Sequence, residues 1–139
     1  MIYATLDEFI LHVGEREAVE ITNLDDPSEL TVNQNKLTFA LTTASREIDG
    51  YLANRYEIPL TLIPGFIKQY CIDIAWYRLA QNNAPEAYEK RYNNAIARLK
   101  EIEKGQLLLI ADDGNRIPIR KVENQLVDER GNNLNDWTP

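Results

Sequence analysis

The residues best equipped for chemistry are Cys71 and His12, the single cysteine and the single histidine of a 139-residue chain. A thiol beside an imidazole could form a nucleophile–base pair. Cys71, however, lies between Tyr70 and Ile72 in the most apolar stretch of the sequence, where cysteine ordinarily serves as small core filler. His12 lies near the end of a short helical stretch, where a positive charge suits the helix C-terminus. Both read as structural, and an enzyme using Cys71 ranks third among the functional readings. Asp112, Asp113 and Asn115 resemble a fragment of a calcium loop. That loop needs a ligand about every second residue and a closing glutamate at position twelve, and without them a turn is the better reading. One cysteine and one histidine also exclude the usual zinc ligand sets. The sequence holds no glycine-rich phosphate loop and no carboxylate pair that stands out from surface charge. No catalytic, cofactor-binding or metal-ligating residue is assigned, and no cofactor is expected.

A second polar group is less easily dismissed. Asp49, Arg55 and Tyr56 flank the end of a long helical stretch, and Asp73 and Arg78 interrupt the apolar one that follows. Charges in such a place are paired inside the fold or sit at a subunit interface. The first alternative predicts an ion-pair network of Asp49, Arg55, Asp73 and Arg78 bracing two helices.

Composition narrows what these elements can build. Hydrophobic residues make up 44% of the chain, enough for a core, and the length suits one domain with an appendage. Acidic residues outnumber basic ones, 22 to 15, for a net charge of −7. That balance is poor for gripping nucleic-acid phosphates, which takes clustered Lys and Arg. A lone cysteine points to a reducing compartment. The opening residues carry Asp7 and Glu8 where a secretory signal would be basic, and no apolar run reaches the ~18 residues of a membrane span. The expectation is a soluble, acidic, intracellular protein.

The elements themselves are mostly helical. Thr5 and Glu8 fit a capping box opening a short helix that Gly14 stops, and Glu15 to Thr22 forms a second. Turn residues follow around Pro27. Thr31 and Gln34 fit another capping box and predict the longest helix, from about Val32 to Tyr56. Its stripe is Leu37, Leu41, Ala44, Ile48 and Tyr51, widened by Leu52. Pro59 forbids helix at the residue before it. The next helix, Gly65 to Gln81, is apolar almost all round, which places it at the centre of the fold or against another subunit. A last helix starts at Pro85, carries the stripe Tyr88, Tyr92, Ala95, Leu99 and Ile102, and ends at Lys104-Gly105. Beyond it, residues 106–111 read as a short strand, 112–115 as a hairpin turn and 116–122 as a strand that Pro118 weakens. A lone hairpin is marginal in water, so this tail docks on something or moves freely. The fold class is all-α, with two short N-terminal helices, three longer ones and a short β-like or mobile C-terminal tail. The domain division is 1–105 for the helical body and 106–139 for the tail.

Several segments also resemble a known family. Ala44-Ser-Arg-Glu-Ile-Asp-Gly-Tyr-Leu-Ala-Asn-Arg-Tyr-Glu-Ile-Pro-Leu60, Pro64 and Asp73-Ile-Ala-Trp-Tyr-Arg-Leu79 are similar to the Mu-like prophage small head proteins. The opening Tyr3-Ala-Thr-Leu-Asp-Glu-Phe-Ile10, the Ala84-Pro-Glu86 and Tyr92 region and Lys104-Gly105 also fit. The resemblance spans about residues 2 to 109, and its layout resembles the head–tail connectors of long-tailed phages. It implies a structural, non-enzymatic part of the virion, made in the host cytoplasm. Such a protein forms a ring of about a dozen copies below the portal and continues its DNA channel. Portal and tail-side proteins would be its partners, with DNA passing through unbound and no membrane involved. Two surfaces suit the subunit contacts of such a ring: Ile72, Trp76 and Leu79 on the apolar helix, and Leu107, Leu108, Leu109 and Ile110 in the tail. The alternative function is a cytosolic helical adaptor or regulatory module that binds one protein partner.

Overall fold

The computed structural model describes residues 2–120. The expected tail residues 121–139 lie outside that range. Chain order within it is α1 (Leu6–Val13), α2 (Glu15–Thr22), α3 (Gln34–Leu52), α4 (Gly65–Ala80) and α5 (Glu86–Glu103). The all-α class with a β-like C-terminal segment is what the described residues form.

Local chemistry sets most helix ends. The Glu8 amide donates to Thr5 Oγ1 and the Thr5 amide to Glu8 Oε1, each at 3.0 Å, completing the capping box of α1. Gly14, at φ +93°, separates α1 from α2 in a conformation that side-chain-bearing residues avoid. Glu8 also meets Lys68 Nζ of α4 at 2.8 Å, and this contact first, then the Thr5 amide, holds its carboxyl below the usual range. A depressed carboxylate pKa stabilises the fold above the unfolded value and is lost as pH falls through the folded one. Glu8→Gln keeps the capping box, which glutamine also completes, and should cost about 0.2–1 kcal/mol at pH 7 by removing a partly exposed ion pair. In urea melts the difference from the parent should vanish at acid pH; a gap that persists there would count against this role.

Two expected boundaries of α3 are corrected. Its N-cap is Asn33, whose Oδ1 accepts from the Lys36 amide at 3.1 Å, in place of Thr31. The Thr31 carbonyl is held by Asn23 Nδ2 at 2.8 Å, and the Asn33 amide donates to Thr22 Oγ1, so the preceding loop is fixed from α2. At the other end α3 stops at Leu52, four residues short of Tyr56. The Leu52 carbonyl accepts from both the Arg55 and Tyr56 amides, and Tyr56 leaves to pair with Ile119 in an isolated antiparallel bridge.

The core follows the stripes. Leu37, Leu41, Ala44 and Ile48 of α3 are buried together with Ile67, Cys71, Ile74 and Ala75 of α4 and Ala95, Leu99 and Ile102 of α5. α3 and α4 share the most extensive interface, and α4 also packs on α2 and α5. The all-round apolar character of α4 is thus explained within one chain. Trp76 stacks on Tyr88 of α5 with ring centroids 3.7 Å apart and planes 9° from parallel.

Residues 106–120 close onto the same chain. The Leu109 amide donates to the Tyr56 hydroxyl at 3.1 Å, with both side chains buried. Asp112 Oδ1 accepts from the Gly65 amide at 2.9 Å, capping α4, whose own N-cap position is occupied by Pro64. Ile110 and Arg116 pair in the expected turn region, and the Arg120 amide donates to the Arg55 carbonyl. Of the two expected alternatives, docking or free movement, this part of the tail takes the first, and what it docks on is its own chain.

Candidate functional site

The candidate nucleophile and base do not meet. Cys71 is buried, with Sγ 3.5 Å from Ser45 Oγ and facing the Leu41 carbonyl. Burial pushes its thiol pKa above the ordinary value, the reverse of what a nucleophilic thiolate requires. His12 is exposed, and its Nε2 lies 3.0 Å from Gln69 Nε2. Folded protein should therefore react with a thiol reagent only as fast as the core opens. Rapid modification without unfolding would restore the nucleophile reading. Asp112 caps α4, and Asp113 Oδ1 accepts from the Asn115 amide at 2.9 Å, so one carboxylate serves a helix end and the other the turn.

The four expected network residues are found in four separate places, which corrects the single-network expectation. Asp49 accepts from the Tyr3 hydroxyl. Arg55, beyond the end of α3, donates from Nε to the Glu103 carbonyl at 3.0 Å and so caps the C-terminus of α5. Asp73 accepts from Gln69 Nε2 at 2.9 Å, and burial raises its carboxyl pKa. Arg78 does brace α4 to α3, but through Glu47, at 2.8 Å, and it also reaches the Tyr92 hydroxyl. Glu47 and Tyr3 escape sequence reasoning because their partners lie 31 to 57 positions away and no spacing rule joins them, whereas Gln69 sits at the i, i+4 helical spacing from Asp73 that could have found it. Tyr3 is the most consequential. Its amide donates to Ser45 Oγ and its hydroxyl accepts from the Leu60 amide at 3.0 Å, so it ties the N-terminus to α3 and to the loop before α4. Burial, then the Asp49 hydrogen bond, pushes its phenol pKa well up.

The candidate interface residues divide similarly. Ile72 and Trp76 are 5% and 4% exposed and belong to the core of the single chain. Leu109 is fully buried, Leu107 and Leu108 are partly so, and Ile110 is 44% exposed. Leu79 is half-buried and lines a cleft that sequence reasoning does not find.

That cleft is a concave surface lined by described residues of three helices. It is an open cavity of about 530 Å³ between the end of α2, the N-terminal half of α3 and the end of α4. Ile21, Leu24, Phe39, Ala40 and Leu79 give it an apolar lining, and Lys36 and Arg78 are its charged residues. Phe39 is 73% exposed and Leu24 45%. Phe39 lies outside the buried stripe of α3, two positions past Leu37, and an apolar residue at such a place is the signal that could have found the site. Singly exposed apolar side chains are ordinary, but here two of them share a concavity.

A five-helix body with buried polar ties and an apolar cleft defines a small all-α protein over the described residues. Residues 3–127 match the family described as Bacteriophage Mu, Gp36. The chain belongs to that family. It is 32% identical over 118 residues to the Mu-like prophage FluMu protein gp36 of Haemophilus influenzae, covering 84% of this chain and 82% of the relative. It is also 36% identical over 67 residues to Gene product J of Escherichia phage Mu, covering 48% of each. This is a protein of Mu-like phages and prophages. No helix of the described residues is long and apolar enough to cross a membrane.

Proposed function

We propose that the chain is a structural, non-enzymatic head–tail connector of a Mu-like phage particle, forming a ring below the portal through which DNA passes. The observation that carries this reading is family membership across residues 3–127, which takes in the helical body and the docked segment after it. Three physical features support it. A ring needs two different faces on each copy, and exposed apolar side chains occur on separate elements, Leu11 on α1, Phe39 on α3 and Leu62 before α4. The buried thiol and dispersed charges suit a protein without a reaction to perform. A net charge of −7 suits a channel that lets DNA slide without holding it. Portal and tail-side proteins are the partners of this reading, and the virion is its location.

The test is a prophage whose copy of this gene is deleted and then supplied with a tagged version. Deletion should yield DNA-filled heads that fail to join tails, and the tagged chain should copurify with complete particles at a ring-like copy number. Normal particles without the chain would overturn the reading and favour the adaptor alternative. Light scattering across concentration then reports whether the ring forms without the portal.

A further inference from the structure

The cleft and Arg120 lie toward opposite ends of α3, and the residues that follow Arg120 in sequence match the cleft in chemistry, which bears on how copies meet. We propose that the cleft receives residues 121–139 of a second copy of this chain. The proposal deepens the connector reading and rests on it for its setting. The cleft has the volume of a site that buries one or two large side chains, and its floor includes the exposed Phe39 and Leu24. Residues 121–139 offer Leu126, Val127, Leu134 and Trp137 as apolar anchors, and tryptophan is among the commonest interface anchors. Charge also matches. Both charged residues lining the cleft are basic, although the whole chain is strongly acidic. Lys36 and Arg78 each hold a carboxylate, Asp25 and Glu47, yet remain 43% and 45% exposed and open to further partners. The segment is net negative by two, with Glu123, Asp128, Glu129 and Asp136 against Lys121 and Arg130.

A segment of 19 residues is long enough to reach the cleft of its own copy, so the head-to-tail contact that a ring requires is what favours a second copy. The segment departs from Arg120, which is fixed to the Arg55 carbonyl just past the C-terminal end of α3. The cleft lies about 20 Å away along that helix, the rise from Phe39 to Leu52. A donor at one end and an acceptor at the other is the arrangement of a head-to-tail contact, which repeats from copy to copy and closes when the rotation permits.

The test joins positions 35 and 138 by a disulfide, which leaves Phe39 and Trp137 in place. Asn35 is an exposed residue of the cleft lining, Thr138 adjoins Trp137, and the native Cys71 is buried, so the parent chain serves as the uncrosslinked control. Asn35→Cys and Thr138→Cys chains, mixed under mild oxidation, should give a 35–138 linked dimer, and the double variant should give a ladder of multimers. The same bond should form in particles grown with the double variant. A double variant that closes only on itself would show the segment docking within its own copy and overturn the proposal, as would the absence of any 35–138 bond. Particles that contain the chain but lack the bond remove this contact and leave the connector reading intact. A bond between purified copies of a chain never found in particles does the reverse.

Discussion

Replacing Ile48 or Ile74 with alanine should each lower stability by about 2–5 kcal/mol, the range for truncating a fully buried branched side chain. Both side chains are completely inaccessible. They belong to α3 and α4, which share the most extensive interface in the fold, with α5 packed against both. A cavity there cannot be relieved by moving a loop, because the surrounding atoms belong to three helices held in register by Tyr3, Arg55 and Arg78. The measurement is urea unfolding followed by helical circular dichroism. Unchanged m-values with lower midpoints would locate the loss in the native state. Losses below about 0.5 kcal/mol at both positions would mean that the α3–α4 faces are wrongly assigned.

That interface is legible in the sequence because its signal is local. Leu37, Leu41, Ala44 and Ile48 recur at helical spacing, and the structure buries all four. The first capping box is legible for the same reason, since Thr5 and Glu8 are three residues apart and need nothing else. Legibility fails where a distant group decides. Thr31 offers the right side chain for a cap, but Asn23 holds its carbonyl and Thr22 holds the Asn33 amide, so the helix starts two residues later than expected. Pro59 sets only an outer limit on α3, and the actual end depends on Tyr56 turning away toward Ile119, 63 positions on. Arg55 stands out in the sequence as an unusual charge, but its partners are not the ones expected. Its guanidinium lies under Gly105, where φ is +76° and a Cβ would come within 2.6 Å of Arg55 Cζ, so a glycine that reads simply as a helix stop also makes room for a side chain from α3's end. The cleft is invisible for a different reason: it is a gap between three elements, and periodicity reports which residues face inward, not where inward faces fail to meet.

Truncation of the tail at two points should give opposite results. A chain ending at Gly105 should lose at least about 3 kcal/mol, because it exposes what Leu109 covers and strands buried polar groups. Leu109 is fully buried and its amide satisfies the Tyr56 hydroxyl; Asp112 satisfies the α4 N-terminus at Gly65. A chain ending at Arg120 keeps each of these contacts, together with the Arg120–Arg55 backbone bond, and its stability should stay within about 0.5 kcal/mol of the parent. Thermal melts of the two truncations decide the matter, and equal stability would show that residues 106–120 contribute nothing to the body. The distinction controls how any assembly defect is read. Removing residues 106–139 together would weaken the body itself, so a joining defect in that variant would say nothing about a docking segment. Removing 121–139 alone leaves residues 2–120 intact, so a joining defect in that variant, with normal melting, is the result expected of the proposed contact. Full joining by the chain that ends at Arg120 would mean that assembly does not depend on that segment.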